Sequence, residues 1–155
     1  MDGINLKGFK NSEEEKFINM IENTSMSKMY KIPIIQSFLN DLKIVLSANK
    51  EDIIDSCIEF YSNNRNKLDM VRDKSTKKHE EFSRSQWWSL AKRNPIHFLT
   101  KTHGDIFEFD DEVMKIKYSF EWSSKDIEKR RWFYDQVKDA LEFRRYEFLD
   151  QRLDK

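Results

Sequence analysis

One stretch of the chain gathers side chains that can hold phosphate. Trp87, Trp88, Lys92, Arg93, His97, Lys101 and His103 lie close together, and Lys115 and Lys117 follow shortly after. Ammonium and guanidinium groups neutralise phosphate oxygens, indoles can stack on bases, and the amides that open a helix after Asn94 can receive an oxyanion. Trp88, Lys92, Arg93, His97, Lys101, His103, Lys115 and Lys117 are therefore the candidate nucleic-acid contacts. The spacing of Trp87, Leu90, Ala91, Phe98 and Leu99 is also that of a core seam, so at least one tryptophan is expected inside. His97 and His103 bracket the end of a short helix, where an imidazole suits either a phosphate or the last helical carbonyls.

Catalytic patterns are sparse by comparison. A phosphate-cradling loop needs clustered glycines, and Gly3, Gly8 and Gly104 are dispersed. A metal-dependent nuclease would place two carboxylates and a lysine around a divalent cation. Glu14-Glu15-Lys16 matches half of that pattern on a helix capped by Ser12, and Asp110-Asp111-Glu112 reads most simply as a hairpin turn. The single cysteine, Cys57, excludes an internal disulfide and, with three scattered histidines, a four-ligand zinc site of the usual spacings. Cys57 reads as a small buried hydrophobe, with no histidine or basic cluster beside it. No catalytic residue, metal or cofactor is expected.

The elements that must position the basic residues follow from patterning. Aromatic residues make up 14% of the 155 residues, enough rings to build a core despite a low apolar fraction. Net charge is zero, but it is unevenly spread. Residues 1–60 carry 7 basic and 10 acidic side chains, 61–105 carry 10 and 5, and 106–155 carry 11 and 13, balances of −3, +5 and −2. The basic excess is central. No apolar run reaches the roughly 18 residues of a membrane span, the amino end is unlike a signal peptide, and a cytoplasmic location is expected.

Ser12 with Glu15 signals a capped helix carrying Phe17, Met20 and Ile21. Residues 27–40 read as a second, buried helix, and 43–46 as a brief strand or connector. Asn49 with Asp52 opens a helix to about Ser62. From 63 to 84 periodicity fails, which predicts an irregular basic loop. Residues 85–93 and 96–101 read as two short helices meeting at a tight corner at Asn94-Pro95. After Gly104 the period becomes two, predicting a hairpin with Met114, Ile116, Tyr118 and Phe120 inward and Lys115 and Lys117 outward. Ser123 or Ser124 is expected to cap a long final helix with Ile127, Tyr134, Val137, Ala140, Leu141 and Phe148 on its apolar stripe.

The segments Ser25-Met26-Ser27-Lys28-Met29-Tyr30-Lys31-Ile32-Pro33-Ile34-Ile35-Gln36-Ser37-Phe38-Leu39, Phe60-Tyr61 and Lys92-Arg93-Asn94-Pro95-Ile96-His97-Phe98-Leu99 resemble the carboxy-terminal accessory region of large bacterial DEAD/DEAH-type helicases from restriction and phage-defence systems. The resemblance spans about Ile18 to Lys155. It implies a module that handles DNA or docks a partner beside an ATPase motor. The motor's own signatures are absent from this sequence, so ATPase activity is not carried over.

The expected fold is a mostly helical α+β domain with a winged-helix-like centre, one β-hairpin and a long C-terminal helix. Residues 1–24 would form an N-terminal helix, 25–122 the winged-helix-like domain with its basic loop 63–84, and 123–155 a helix on the same core. The expected function is a non-catalytic DNA-binding or specificity module of a bacterial restriction or phage-defence system. Its partners would be duplex DNA and a helicase or nuclease subunit. The alternatives are a protein docking module without DNA contact and a small metal-dependent nuclease.

Overall fold

The computed structural model describes residues 3–153; the outermost residues of the first and last expected segments, 1–2 and 154–155, lie outside the described residues. The architecture is α+β and mostly helical. Helix α1 (Glu13–Asn23) is capped by Ser12, whose hydroxyl accepts the Glu15 amide at 3.1 Å. Helix α2 is only Lys31–Gln36, because the chain turns at Ser37 and pairs Leu39–Asn40 (β1) with Lys43–Ile44 (β2). The expected long second helix is therefore a short helix followed by a hairpin, with Asp41 and Leu42 both left-handed in its two-residue turn. Strand β3 (Ser47–Asn49) leads into α3 (Lys50–Tyr61), whose N-terminus is closed by the reciprocal bonds of Asn49 and Asp52.

Two strands were not legible as such. The predicted hairpin is present as β4 (Phe107–Asp110) and β5 (Val113–Ile116), turning at left-handed Asp111 and Glu112, but β3 adds to its free edge. The sheet order is β3-β5-β4, all antiparallel, and a second small sheet holds β1 and β2. The hairpin register is as expected: Met114, Ile116 and Phe120 are buried and Lys115 and Lys117 exposed. Helix α7 (Glu121–Ser124) and the long α8 (Ile127–Phe148) complete the fold. Asp126, not a serine, caps α8 by accepting the Glu128 and Lys129 amides. Ile127 then points to solvent, 75% exposed, rather than lying on the apolar stripe.

The core is aromatic. Phe17 of α1 meets Phe107, Phe120 and Phe133 at centroid distances of 6.1, 5.4 and 6.1 Å, mostly edge to face. One stripe of α8, Phe133, Val137, Leu141, Arg145 and Phe148, is buried against it. Phe9 packs on Trp122 and Trp132, and the Trp122 indole donates to the Lys7 carbonyl, which ties the amino-terminal segment down. No helix among the described residues is long and apolar enough to cross a membrane.

The segment 63–84 is better ordered than its lost periodicity predicts. It contains α4 (Leu68–Val71) and a 3-10 turn, His79–Glu81. Its scaffold is polar and buried. Asn66 donates to the Phe60 carbonyl at 2.9 Å and accepts from Arg145 at 2.7 Å; Thr76 donates to the Met70 carbonyl at 2.6 Å. Asp69, fully buried, accepts the Met29 amide at 2.8 Å and the Tyr61 hydroxyl at 2.9 Å, while Lys28 donates to its carbonyl and pairs with Asp73. Buried polar groups of this kind are costly to orphan. Asp69→Ala should destabilise the protein by about 2–5 kcal/mol in chemical denaturation, since it strands a buried amide and a buried hydroxyl. Asp69→Asn, which keeps an acceptor, should cost clearly less.

Candidate nucleic-acid interface

The basic residues are displayed on one continuous helix rather than on a corner. Helix α5 (Arg84–Ala91), a π-helical turn (Lys92–Ile96) and α6 (His97–Thr102) run without interruption. Ser83 and Gln86 close its N-terminus through bonds of 2.7 and 3.2 Å. Proline in an ordinary helix clashes with the carbonyl four residues back and removes a donor. The wider π turn absorbs Pro95, so the Asn94-Pro95 pair widens the helix instead of breaking it. The helix ends at Gly104, where a Cβ would stand 2.9 Å from the Thr100 carbonyl oxygen.

Helix 84–102 contains Arg84, Lys92, Arg93 and Lys101 and no acidic residue. Lys92, Arg93, His97 and Lys101 are exposed, with Phe98 beside His97. Arg84 is engaged elsewhere: its guanidinium pairs with Glu51 at 2.6 Å and Asp55 at 2.9 Å of α3. The free cationic surface is therefore the C-terminal half of the helix. Arg93 also lies within electrostatic reach of the Tyr30 hydroxyl, which burial and then Asp69 push up to about 12, Arg93 opposing them.

Two of the expected contacts are placed differently. Trp88 is 4% exposed and packs on Phe109 at 5.8 Å, so it cannot stack on a base; both tryptophans are core. Its remaining role is local, with the Lys92 ammonium 5.4 Å and that of Lys50 6.0 Å from its ring centroid. His103 turns away from the exposed face. Its Nε2 lies 3.0 Å from the Thr24 hydroxyl oxygen, which Lys31 also reaches at 3.0 Å. Arg144 donates to the Ile21 and Thr24 carbonyls at 2.8 Å each. Helix α1 has no basic residue in its last turn, and these three groups from elsewhere in the chain cover its carbonyl end.

The hairpin lysines are exposed. Lys117 donates to the Gly104 carbonyl at 2.9 Å, which sets it at the end of the basic helix. Lys115 is one strand repeat further along the same face, opposite Glu108. The hairpin tip is acidic, Asp110-Asp111-Glu112, and Glu112 stands 3.8 Å from Lys50.

The carboxylates of the Glu14-Glu15 pair make bonds within the fold. Glu14 is buried, its carboxylate accepting the Ser123 amide and hydroxyl at 2.8 and 2.6 Å, and Glu15 accepts the Asn11 amide. Burial pushes the Cys57 thiol up to about 12, which disfavours the thiolate form that a nucleophile needs. Among the described residues no three His, Cys, Asp or Glu side chains converge on a possible metal position. Sequence reading missed Asp69, Arg144 and Arg145. Asp69 is flanked in sequence by the apolar Leu68 and Met70, the available signal of its burial. No family model, no curated protein and no solved structure matches the chain.

His103 is held below its ordinary value near 6.5, first by burial and then by Lys31, with Asp105 opposing. A base whose folded pKa lies below its unfolded one takes up protons preferentially on unfolding as pH falls. Stability should therefore decline as pH drops below about 6.5, with no further loss from this group below its lowered folded value. In His103→Gln that part of the decline should vanish, as read from denaturant midpoints at a series of pH values.

Proposed function

We propose that the chain is a non-catalytic DNA-binding module that holds the phosphate backbone of duplex DNA. The observation that carries this reading is the acid-free helix 84–102, with Lys92, Arg93, His97 and Lys101 exposed along its second half in a chain of zero net charge. Strand order supports it. Apart from the short α4 and a 3-10 turn between the helices, a strand (β3), a helix (α3), a second helix (84–102) and a hairpin whose second strand pairs with β3 follow the order of elements of a winged helix, in which the helix before the hairpin is the one presented to DNA.

The division of charge sets how such a module would bind. The helix start is neutralised by Glu51 and Asp55, and the hairpin tip repels phosphate. Contact would run from Lys92 to Lys101 and on to Lys117 and Lys115 on the outer face of the hairpin. Backbone contacts of this kind position a protein without reading sequence. A place in a bacterial restriction or phage-defence system, beside a helicase or nuclease, rests on the resemblance of residues 25–39, 60–61 and 92–99 alone. A docking reading is favoured by one feature, Phe143 and Tyr146, exposed at 64% and 49% one turn apart on α8.

Fluorescence anisotropy with a labelled duplex at two salt concentrations tests the DNA reading. Lys92→Ala/Arg93→Ala/Lys101→Ala should bind more weakly and lose up to about 0.9 of salt slope per phosphate contact removed. Unchanged affinity in the folded triple variant sinks the assignment. Lys115→Glu/Lys117→Glu should leave stability within about 0.5 kcal/mol, as exposed positions do, while reducing affinity. Wild-type protein that does not bind duplex at low salt would leave docking as the function.

A further inference from the structure

A second site is lined by no residue of helix 84–102. A cleft of about 320 Å³ opens between the chain following β2 and the α7–α8 corner. Ile44, Val45, Leu46, Phe120 and Phe133 give it apolar walls. Lys43 and Arg130 bring two cations to it, and no acidic side chain lines it. Its volume is at the lower end of small-ligand pockets, about 300–1,000 Å³.

Arg130 is the informative residue. Its Nε–H is buried without a hydrogen-bond partner, and no carboxylate among the described residues is paired with its guanidinium. The other inward-turned arginines of the same helix have protein partners for their guanidinium groups: Arg144 donates to the Ile21 and Thr24 carbonyls and its Nε, also without a hydrogen bond, stands 3.6 Å from the Glu147 carboxylate, while Arg145 donates to Asn63 and Asn66. Glu14, also buried, accepts the Ser123 amide and hydroxyl on Oε2 and makes no ion pair with Arg130; its Oε1 has no hydrogen-bond partner. A buried polar hydrogen without a partner calls for a missing acceptor. A guanidinium beside apolar walls is matched by a planar anion that accepts from its fork.

We infer that the cleft walled by Phe120 and Phe133 binds a carboxylate carried on a compact apolar body, with Arg130 as its main charge partner and Lys43 as its second. Two sources share that chemistry, a free short-chain carboxylic acid and the C-terminal carboxylate of a peptide ending in an apolar residue. An inorganic phosphate would satisfy the cations but leave the apolar walls uncovered, and a neutral analogue would do the reverse. Neither should compete.

The test is a titration of the full chain, followed by amide chemical shifts and by melting temperature, with hexanoate, N-acetyl-leucine, N-acetyl-leucinamide and inorganic phosphate as probes. Hexanoate, N-acetyl-leucine or both should shift the amides of residues 119–130 saturably and raise the melting temperature. The amide and phosphate should bind at least about tenfold more weakly, since each lacks one half of the match. Response to hexanoate alone identifies a free acid, and response to N-acetyl-leucine alone a peptide terminus. Arg130→Gln should abolish the response. Lys43→Gln, an exposed change that leaves the fold intact, should weaken it several-fold. Equal binding of the neutral amide, equal binding of phosphate, no saturable response to either carboxylate, or full affinity in a folded Arg130→Gln or Lys43→Gln protein overturns the assignment.

Discussion

A carboxylate with no access to solvent, Asp69, is the node on which the middle of the structure depends. It joins three parts that are distant in sequence: the start of α2 through the Met29 amide, the end of α3 through the Tyr61 hydroxyl, and its own turn α4. Burial pushes its carboxyl above the ordinary range, against the two hydrogen bonds and Lys28. Tyr61 is in turn driven well above its ordinary value, by burial first and Asp69 second. The tyrosine ring stacks on Trp87 at 5.9 Å. Helix 84–102 is thus seated on a ring whose own hydroxyl is fixed by Asp69, and segment 63–84 is held in shape by the same carboxylate.

The chain's cations divide into two uses. On α8, Arg144 and Arg145 turn inward and serve as hydrogen-bond donors to carbonyls at the end of α1 and to Asn63 and Asn66. On helix 84–102 the cations after Arg84 turn outward and find no acid on their own element. A sequence with as many acids as bases can therefore still display a cationic strip, because many of its charges are consumed locally. The acidic tip of the β4–β5 hairpin and the acids of α3 bound that strip on one side.

The proposed cleft at Arg130 obeys the same accounting. Inside a protein, a guanidinium is ordinarily matched by carbonyls, amides or carboxylates, as the terminal nitrogens of Arg144 are by two carbonyls and Arg145 is by two asparagine amides. Arg130 shares their helix but faces a gap between elements instead of a carbonyl row. Its position next to two phenylalanines gives the gap both of the features that a carboxylate with an apolar body would need.

Local chemistry made much of this legible in advance. Ser12 with Glu15 and Asn49 with Asp52 marked helix starts because capping depends on three-residue spacing alone. The alternation from Val113 to Phe120 set the hairpin register because a strand has only two faces. Lys92, Arg93, His97 and Lys101, the candidate phosphate contacts, are exposed, and none of them has an apolar side chain that would draw it inside. What sequence could not reveal depended on partners far along the chain. Pro95 sits inside a π turn and does not break the helix, in a stretch whose Trp87, Leu90 and Ile96 are buried on contacts from elsewhere in the chain. Trp88 and His103 looked like their basic neighbours, yet Phe109 claims one and Thr24 the other. The three-residue strand β3 exists because β5 offers an edge for it. Spacing along the chain determines which face a residue takes; only the tertiary structure decides what that face meets.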